Sequence, residues 1–327
     1  MSGLYPLKFK PLYHEKIWGG NRMKSLLNKD YGSLSNCGES WEISGVEGSI
    51  SEVSNGFLAG NNLQELVEIY MGDLVGDKVF KKFGVEFPLL IKFIDAADDL
   101  SVQVHPNDEL SKKRHNAFGK TEMWYVVGAE NGALINSGFN QEVTKEKYLE
   151  YFSSGKLMDL LHYDKVFEGD VFFIPAGRVH AIGKGALVAE IQQTSDVTYR
   201  IFDYNRKDAN GNERELHVDL ALDAIDFSYK EDYKTKYTKE KNASSEIVSC
   251  GYFTTNFLEF DKMLEKEYNQ LDSFIIYMNL DGEFEVEFED GKEQVKKGET
   301  VLIPASLETY KLKPLSSGVK TLEVYIK

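Results

Sequence analysis

Few of the features that mark the common function classes are present in this chain. It has only two cysteines in 327 residues, Cys37 and Cys250. Their separation excludes a disulfide framework and points to reduced, buried thiols of a cytoplasmic protein. No apolar run approaches the ~20 residues that a membrane span requires, and the opening Met1-Ser2-Gly3-Leu4-Tyr5-Pro6 lacks the apolar core of a signal peptide. Positive charge is scarce: 38 Lys and Arg against 53 Asp and Glu leave a net charge of −15. That balance argues against non-specific binding to nucleic acid or to an anionic membrane, so an anionic substrate would need a local basic pocket. No glycine-rich phosphate loop of the nucleotide-binding kinds occurs. Gly38-Glu39-Ser40-Trp41-Glu42 lacks the closing glycine of a nucleophile elbow, which removes Ser40 as a hydrolase serine.

What the chain does have is aromatic and β-forming. Tyr and Phe number 18 and 20, which favours strands. The length favours two domains. Strands are expected at 88–95, 100–105, 122–128, 165–174 and 186–194. Asn62 is placed to cap a helix carrying Leu63, Leu66, Val67 and Tyr70 on one face. A second helix is expected over 144–161. Residues 228–246, rich in Lys, Tyr, Glu and Ser, read as a linker or exposed connection. Beyond it, Asp281-Gly282 between two strand-like runs signals a hairpin, with Asp290-Gly291 as a second turn. Gly169-x5-Pro175-Ala176 recurs as Gly298-x5-Pro304-Ala305, with Thr309 where the first copy has His180. A repeat that keeps its turn and loses its histidine implies two related barrels, of which only the first binds metal.

The chemistry gathers on a few side chains. Gly169-Asp170-Val171-Phe172-Phe173-Ile174-Pro175-Ala176-Gly177-Arg178-Val179-His180 reads as a strand, a sharp turn and one delivered imidazole. Strand alternation places Ser101, Gln103 and His105 on one face. Glu122 lies beside Met123-Trp124-Tyr125, where an unpaired carboxylate is expensive to bury. Two imidazoles, a carboxylate and an amide converging inside a barrel would hold a divalent metal. This donor set favours zinc, with iron and manganese as alternatives. Each has a plainer reading: His180 as a structural or surface residue after a Pro-Gly turn, His105 as a core histidine bonded to backbone, Glu122 as a partner of Lys120, and Gln103 as a support rather than a ligand.

Three cations accompany this set. Lys92 interrupts the apolar run 88–94, Lys120 shares a face with Glu122, and Arg200 ends a segment in which Glu190, Gln192, Thr194, Asp196, Thr198 and Arg200 alternate onto one side. A polar inner face lines a wet cavity, and cations beside a metal suit a phosphorylated substrate; the plain alternative is surface salt bridges. The basic run Lys112-Lys113-Arg114-His115 reads as a solvated helix face.

Gly-x5-Pro-x-Gly-x2-His is the second motif of the cupins. Together with Leu100-Ser101-Val102-Gln103-Val104-His105-Pro106, Gly119-Lys120-Thr121-Glu122-Met123-Trp124 and Ser195-Asp196-x3-Arg200, it resembles type I mannose-6-phosphate isomerase, most closely its short bacterial branch. The likeness runs from Ile17-Trp18-Gly19-Gly20 to the C-terminal barrel. It implies a mainly β fold of two cupin (jelly-roll) barrels with helical insertions in the N-terminal half: residues 1–240 a catalytic cupin domain with its linker, 241–327 a second, metal-free cupin-like domain. It also implies a cytoplasmic enzyme, monomer or homodimer, that interconverts mannose 6-phosphate and fructose 6-phosphate through a cis-enediol(ate). One Zn2+ per chain would sit on Gln103, His105, Glu122 and His180. Arg200, Lys120 and Asp196 would be catalytic, and Ser101, Lys92, Lys120 and Arg200 would bind substrate. The base stays open among a metal-bound water, Lys120, Asp196 and Glu42. Longer members carry His-Lys-Pro-Glu-Met where this chain has Gly119-Lys120-Thr121-Glu122-Met123, so that histidine cannot shuttle protons here; His115 is a conceivable substitute. Two other readings of the same residues are an Fe(II) cupin dioxygenase and a non-catalytic sugar-phosphate-binding cupin.

Overall fold

The computed structural model describes residues 3–207 and 211–327. Four antiparallel sheets stack in two facing pairs, and each pair is a flattened jelly roll of the cupin kind rather than a closed ring of strands. Sheet I runs in the order Leu12–Gly20, Cys37–Ile43, Leu89–Asp95, Ala186–Gln193, Glu122–Ala129, Val171–Ile174. Sheet II, facing it, runs Tyr199–Phe202, Val102–Val104, His180–Ile182, Leu134–Phe139, Leu161–Lys165. Sheet III contains Leu7–Lys8, Thr300–Ile303, Ile275–Asp281, Val319–Tyr325, Thr254–Phe260 and Ser244–Ser249. Sheet IV contains Leu264–Glu267, Thr309–Pro314, Phe284–Phe288 and Gly291–Val295.

Side-chain alternation explains the layering. In Leu89–Asp95, Leu89, Ile91 and Phe93 point away from sheet II into a core shared with Phe257, Ile276, Met278, Leu322 and Val324 of sheet III. The two six-stranded sheets therefore meet back to back, and each fully buried side chain there contributes about 1.5–3 kcal/mol. Leu90, Lys92 and Ile94 point the other way, into the first jelly roll. Ile94, Trp124, Val126 and Val188 meet Ile135 and Ile182 of sheet II at its apolar end. The opposite end of the same lumen is polar.

The helices decorate this frame. Leu63–Tyr70 begins at Asn62, whose side chain accepts from Glu65 N while the Glu65 carboxylate accepts from Asn62 N. Gly72–Val75 and Asp77–Phe83 follow. Asp272, from the second jelly roll, caps the last of these through Asp77 N and Lys78 N at 2.6 and 2.9 Å.

Several expectations change. The helix expected over 144–161 ends at Ser153 and resumes as a 3-10 turn, Leu157–Leu160. The strand expected over 165–174 is two strands in different sheets, Leu161–Lys165 and Val171–Ile174. The segment expected to alternate from Glu190 to Arg200 leaves the sheet after Gln193, and Arg200 belongs to a strand of sheet II. Asp281-Gly282 does not close a hairpin: Ile275–Asp281 stays in sheet III while Phe284–Phe288 enters sheet IV. Gly282, at φ 73°, turns that corner with its backbone against Gly318, where a Cβ would sit 2.2 Å from the carbonyl oxygen. The hairpin forms at the second turn, where Phe288 pairs with Gly291. The 228–246 connection is irregular but strapped down: the Tyr233 hydroxyl donates to Phe139 O and the Tyr237 hydroxyl to Gly169 O.

The internal repeat has a structural counterpart. Ile174 pairs with Glu122 in the first jelly roll, and its counterpart Ile303 pairs with Ile275 in the second. The position of the carboxylate is thus taken by isoleucine, and that of His180 by the exposed Thr309. The second lumen instead buries Glu323 against Lys266, Tyr268, Tyr277, Asn256 and Ser244, all within 2.5 to 2.9 Å. Burial opposes ionisation of Glu323, but the Lys266 ammonium and these donors outweigh it and hold the carboxyl below the usual range. Glu323→Ala, which strands Lys266 and two tyrosines, is expected to lower the unfolding free energy by about 3–5 kcal/mol. Urea unfolding measures it, and a loss below about 1 kcal/mol would show the network to be incidental.

Candidate metal centre

Register, more than sequence proximity, assembles the polar end of the first lumen. In sheet II, His180 is paired with Ser137 on one side and Gln103 on the other, and Gln103 is paired in turn with Arg200. Residues in one cross-strand row share a face, so this row projects into the lumen; His105, two residues beyond Gln103, shares its face. Opposite, in sheet I, Glu122 is paired with Gln192, and the next inward row is Trp124, Glu190, Lys92 and Trp41.

His105, Glu122 and His180 are fully buried, and their donor atoms all lie within 4.8 Å of one another. His105 Nε2 is 3.5 Å from one Glu122 oxygen, and His180 Nε2 is 3.4 Å from the other. The Gln103 side-chain amide lies 3.3 Å from His180 Nε2. Each imidazole is oriented from behind: Nδ1 of His105 donates to Val197 O at 2.9 Å, and Nδ1 of His180 to Arg178 O at 2.8 Å. Both Nε2 lone pairs are therefore turned toward the same carboxylate. Burial holds both rings neutral, His180 down to about 3 and His105 well below its usual value, with Lys120 adding to the effect. Burial and then Glu190 push the Glu122 carboxyl up to about 7. Its Oε1 has no hydrogen-bond partner despite being buried. Two neutral, pre-aimed imidazoles around an unsatisfied buried carboxylate oxygen fit a divalent metal ion.

Buried charges ring these donors. Lys120 Nζ lies 2.7 Å from Glu122 Oε2 and 3.1 Å from His105 Nε2. Lys92 Nζ lies 3.0 Å from Glu190 and 3.7 Å from Glu39. Trp124 Nε1 donates to Glu190, and Trp41 Nε1 to Glu39. For Glu39, burial is outweighed by Lys92 and Lys16, and its carboxyl falls to about 2. Sequence reasoning placed Glu190 on a polar face without giving it a role and gave Glu39 none. The available signal was Glu190 standing opposite an out-of-place lysine, which only strand register reveals. Arg200 is half-buried; its Nη1 donates to Glu215 O at 2.8 Å, and its buried Nε has no partner. Beyond it, Arg206 and Arg214 both bind the Asp203 carboxylate. Ser101 is buried immediately before the strand that carries Gln103.

Three residues lie elsewhere. Glu42 is on the opposite face of its strand from Glu39, bonded to Lys29 Nζ and Ser40 Oγ at 2.5 Å. His115 is exposed and its ring bonds the Tyr199 hydroxyl at 2.7 Å; Tyr199 packs on the outer side of sheet II. Asp196 is also exposed, and with Lys112, His115 and Phe118 it lines a cleft of about 640 Å³. None of the three touches the His–Glu–His group.

Comparison with known proteins agrees with this geometry. Residues 6–130 match the model of the phosphomannose isomerase type I catalytic domain, and residues 243–317 match that of the mannose-6-phosphate isomerase cupin domain. The mannose-6-phosphate isomerase ManA of Bacillus subtilis is 37% identical over 316 residues, covering 94% of this chain and 95% of the relative. The mannose-6-phosphate isomerase of Streptococcus mutans is 33% identical, covering 93% and 94%. A crystal structure of the mannose 6-phosphate isomerase from Bacillus subtilis superposes with a TM-score of 0.88 at 32% identity, covering 99% of this chain and all of that one. Identity at this level across nearly the full length, on a matching fold, makes this chain a member of the type I mannose-6-phosphate isomerase family.

Proposed function

We propose that this protein interconverts mannose 6-phosphate and fructose 6-phosphate, and that its resident metal is zinc, held by His105, Glu122 and His180 with Gln103 beside them. The observation that carries the reading is Lys120, whose ammonium sits 2.7 Å from Glu122 and 3.1 Å from His105. A proton-carrying group is thus placed at the metal ligands themselves, where moving a proton between C2 and C1 needs one. A divalent ion bound there supplies Lewis-acid stabilisation of negative charge on the sugar oxygens. Lys120 takes the C2 proton as the neutral amine and returns it at C1, after its own ammonium proton has passed to a neighbouring carboxylate, Glu122 at 2.7 Å or Glu190 at 3.7 Å.

Lys92 is already neutralised by Glu190 and Glu39, so its part is to hold those two carboxylates in the substrate wall. Arg200 keeps donor capacity free, with Arg206 and Arg214 behind it. It is the cation best placed for an anionic substrate oxygen, with Ser101 proposed as a further substrate contact. Asp196 has no part in this scheme, because it is exposed and in contact with none of these groups. A cytoplasmic setting is proposed as well: Cys37 and Cys250 are both free, as a reducing compartment requires. Among the described residues no helix is long and apolar enough to cross a membrane.

The test is formation of fructose 6-phosphate from mannose 6-phosphate by purified protein, before chelation, after chelation and after zinc is restored. Activity lost and then regained is the expected result. Saturable sugar-phosphate binding without conversion would favour a sensor, and oxygen uptake by iron-loaded protein a dioxygenase.

A further inference from the structure

The second jelly roll lines none of the lumen that holds the His–Glu–His group, yet one of its side chains is tied to it. The hydroxyl of Tyr252 donates to Asp108 Oδ2 at 2.7 Å, across 144 residues of sequence. The other oxygen of Asp108 accepts from Gly119 N at 2.8 Å and from Gln193 Nε2 at 2.9 Å. Gln193 Oε1 in turn accepts from Thr121 N at 2.8 Å, and Gln193 N donates back to Thr121 O at 3.2 Å. Residues 119–122, which carry Lys120 and Glu122, are therefore gripped from both sides by Asp108 and Gln193.

The grip reaches the other donors too. Lys120 N donates to Pro106 O at 3.1 Å, one residue past His105, and Gly177 N donates to His105 O at 2.9 Å in the turn that delivers His180. Thr121 Oγ1 accepts from Ala176 N in the same turn at 3.2 Å. Asp108 approaches so closely that a Cβ on Gly119 would lie 2.5 Å from Asp108 N, so only glycine fits there. Burial works against the Asp108 charge, but its three hydrogen bonds, that of Tyr252 first, hold the carboxyl below its usual range. It thus stays an acceptor across the neutral range.

We infer that Tyr252 is a positioning residue for the metal centre, fixing Glu122 and Lys120 through Asp108, Gln193 and Thr121, so that the second jelly roll stiffens a site it does not line. The inference rests on reading His105, Glu122 and His180 as metal ligands. The hydroxyl is the third hydrogen bond to the Asp108 carboxylate and the one that holds Oδ2, so it stops the group rotating about the two bonds on Oδ1. Without it, Gly119 N and Gln193 lose a fixed partner and the Glu122 strand end gains freedom. Groups that orient metal ligands rather than touch the ion are typically worth about 10–100-fold in metal affinity. Tyr252 acts through three intermediaries, so about tenfold is expected.

The experiment uses the full-length zinc-loaded protein and its Tyr252→Phe variant, which keeps the ring and removes only the hydroxyl. Zinc dissociation is followed by transfer to a chromogenic chelator, and kcat and KM are measured in parallel. The expected result is zinc release about tenfold faster, with kcat lowered and KM little changed. Tyr268→Phe provides the control, since it loosens the second jelly roll at Glu323 without touching this relay and should leave zinc release at the wild-type rate. Combining Tyr252→Phe with Gln193→Leu should cost less than the sum of the two single changes, because both break one chain. Zinc release unchanged in Tyr252→Phe, or accelerated equally in Tyr268→Phe, overturns the inference while leaving the metal centre standing. Wild-type protein that binds no zinc overturns the metal-centre reading itself, and this inference with it.

Discussion

On the proposed ligand set, His180→Ala protein will lose divalent-ion binding and turnover together. His180 supplies one of only two imidazoles at the site, and its ring is fixed by Arg178 O so that Nε2 faces Glu122. Removing it leaves one imidazole and a carboxylate, too few donors for tight zinc binding. The loss of metal affinity should exceed the ~10–100-fold that follows when a ligand loses only its supporting hydrogen bond. Metal analysis after dialysis and the isomerase assay give the two readouts; a variant that kept both would sink the assignment.

The same centre has a pH signature. Glu122, pushed up to about 7 by burial and by Glu190, must shed its proton before it can ligate. The imidazoles are neutral far below that range and contribute no further protonation step near neutrality. Apparent zinc affinity should therefore fall about tenfold per pH unit below 7 and level off above it. Calorimetry in buffers of different ionisation heat should show about one proton released per zinc at pH 6 and almost none at pH 8. Affinity that did not change between these values would contradict it.

Lys120→Met is the second large effect. The methionine retains much of the apolar stem but cannot carry a proton, so kcat should drop by about 10²–10⁴-fold. Zinc content should hold or rise, because an ammonium 2.7 Å from Glu122 no longer competes for that carboxylate. Stopped-flow or coupled assays with metal quantified on the same sample make the distinction. A drop in kcat smaller than about tenfold with full zinc would move the proton transfer to another group, and Glu190 is the adjacent carboxylate.

The contrast between His180 and Asp196 shows what sequence can and cannot convey. His180 was legible because its context is local: a strand, then Pro175 and Gly177, then an imidazole two residues past Arg178. Gln103 and His105 were legible as partners because a strand alternates with period 2. Asp196 and Arg200 are equally close in sequence and were read as one alternating face. They part because the chain leaves sheet I after Gln193 and re-enters in sheet II. Asp281-Gly282 failed for a related reason: a turn signal specifies that the chain bends, not whether the next strand pairs with the last or crosses to the facing sheet. Glu190 was missed because its importance comes from register, which sets it opposite Lys92 on one side and Trp124 on the other.

By itself, the sequence determined the β-rich two-part organisation, the turn and histidine of the cupin motif, and the residue types that suit a metal and a phosphorylated sugar. These are consequences of local propensity, short-range spacing and composition. The tertiary structure decided which of the charged residues face one another. It paired Lys92 and Lys120 with Glu190, Glu39 and Glu122, turned Glu42 and His115 away, and ran a hydrogen-bonded chain from Tyr252 to Glu122. Those outcomes depend on register between strands up to a hundred residues apart and on how two jelly rolls pack back to back, and no local pattern encodes either.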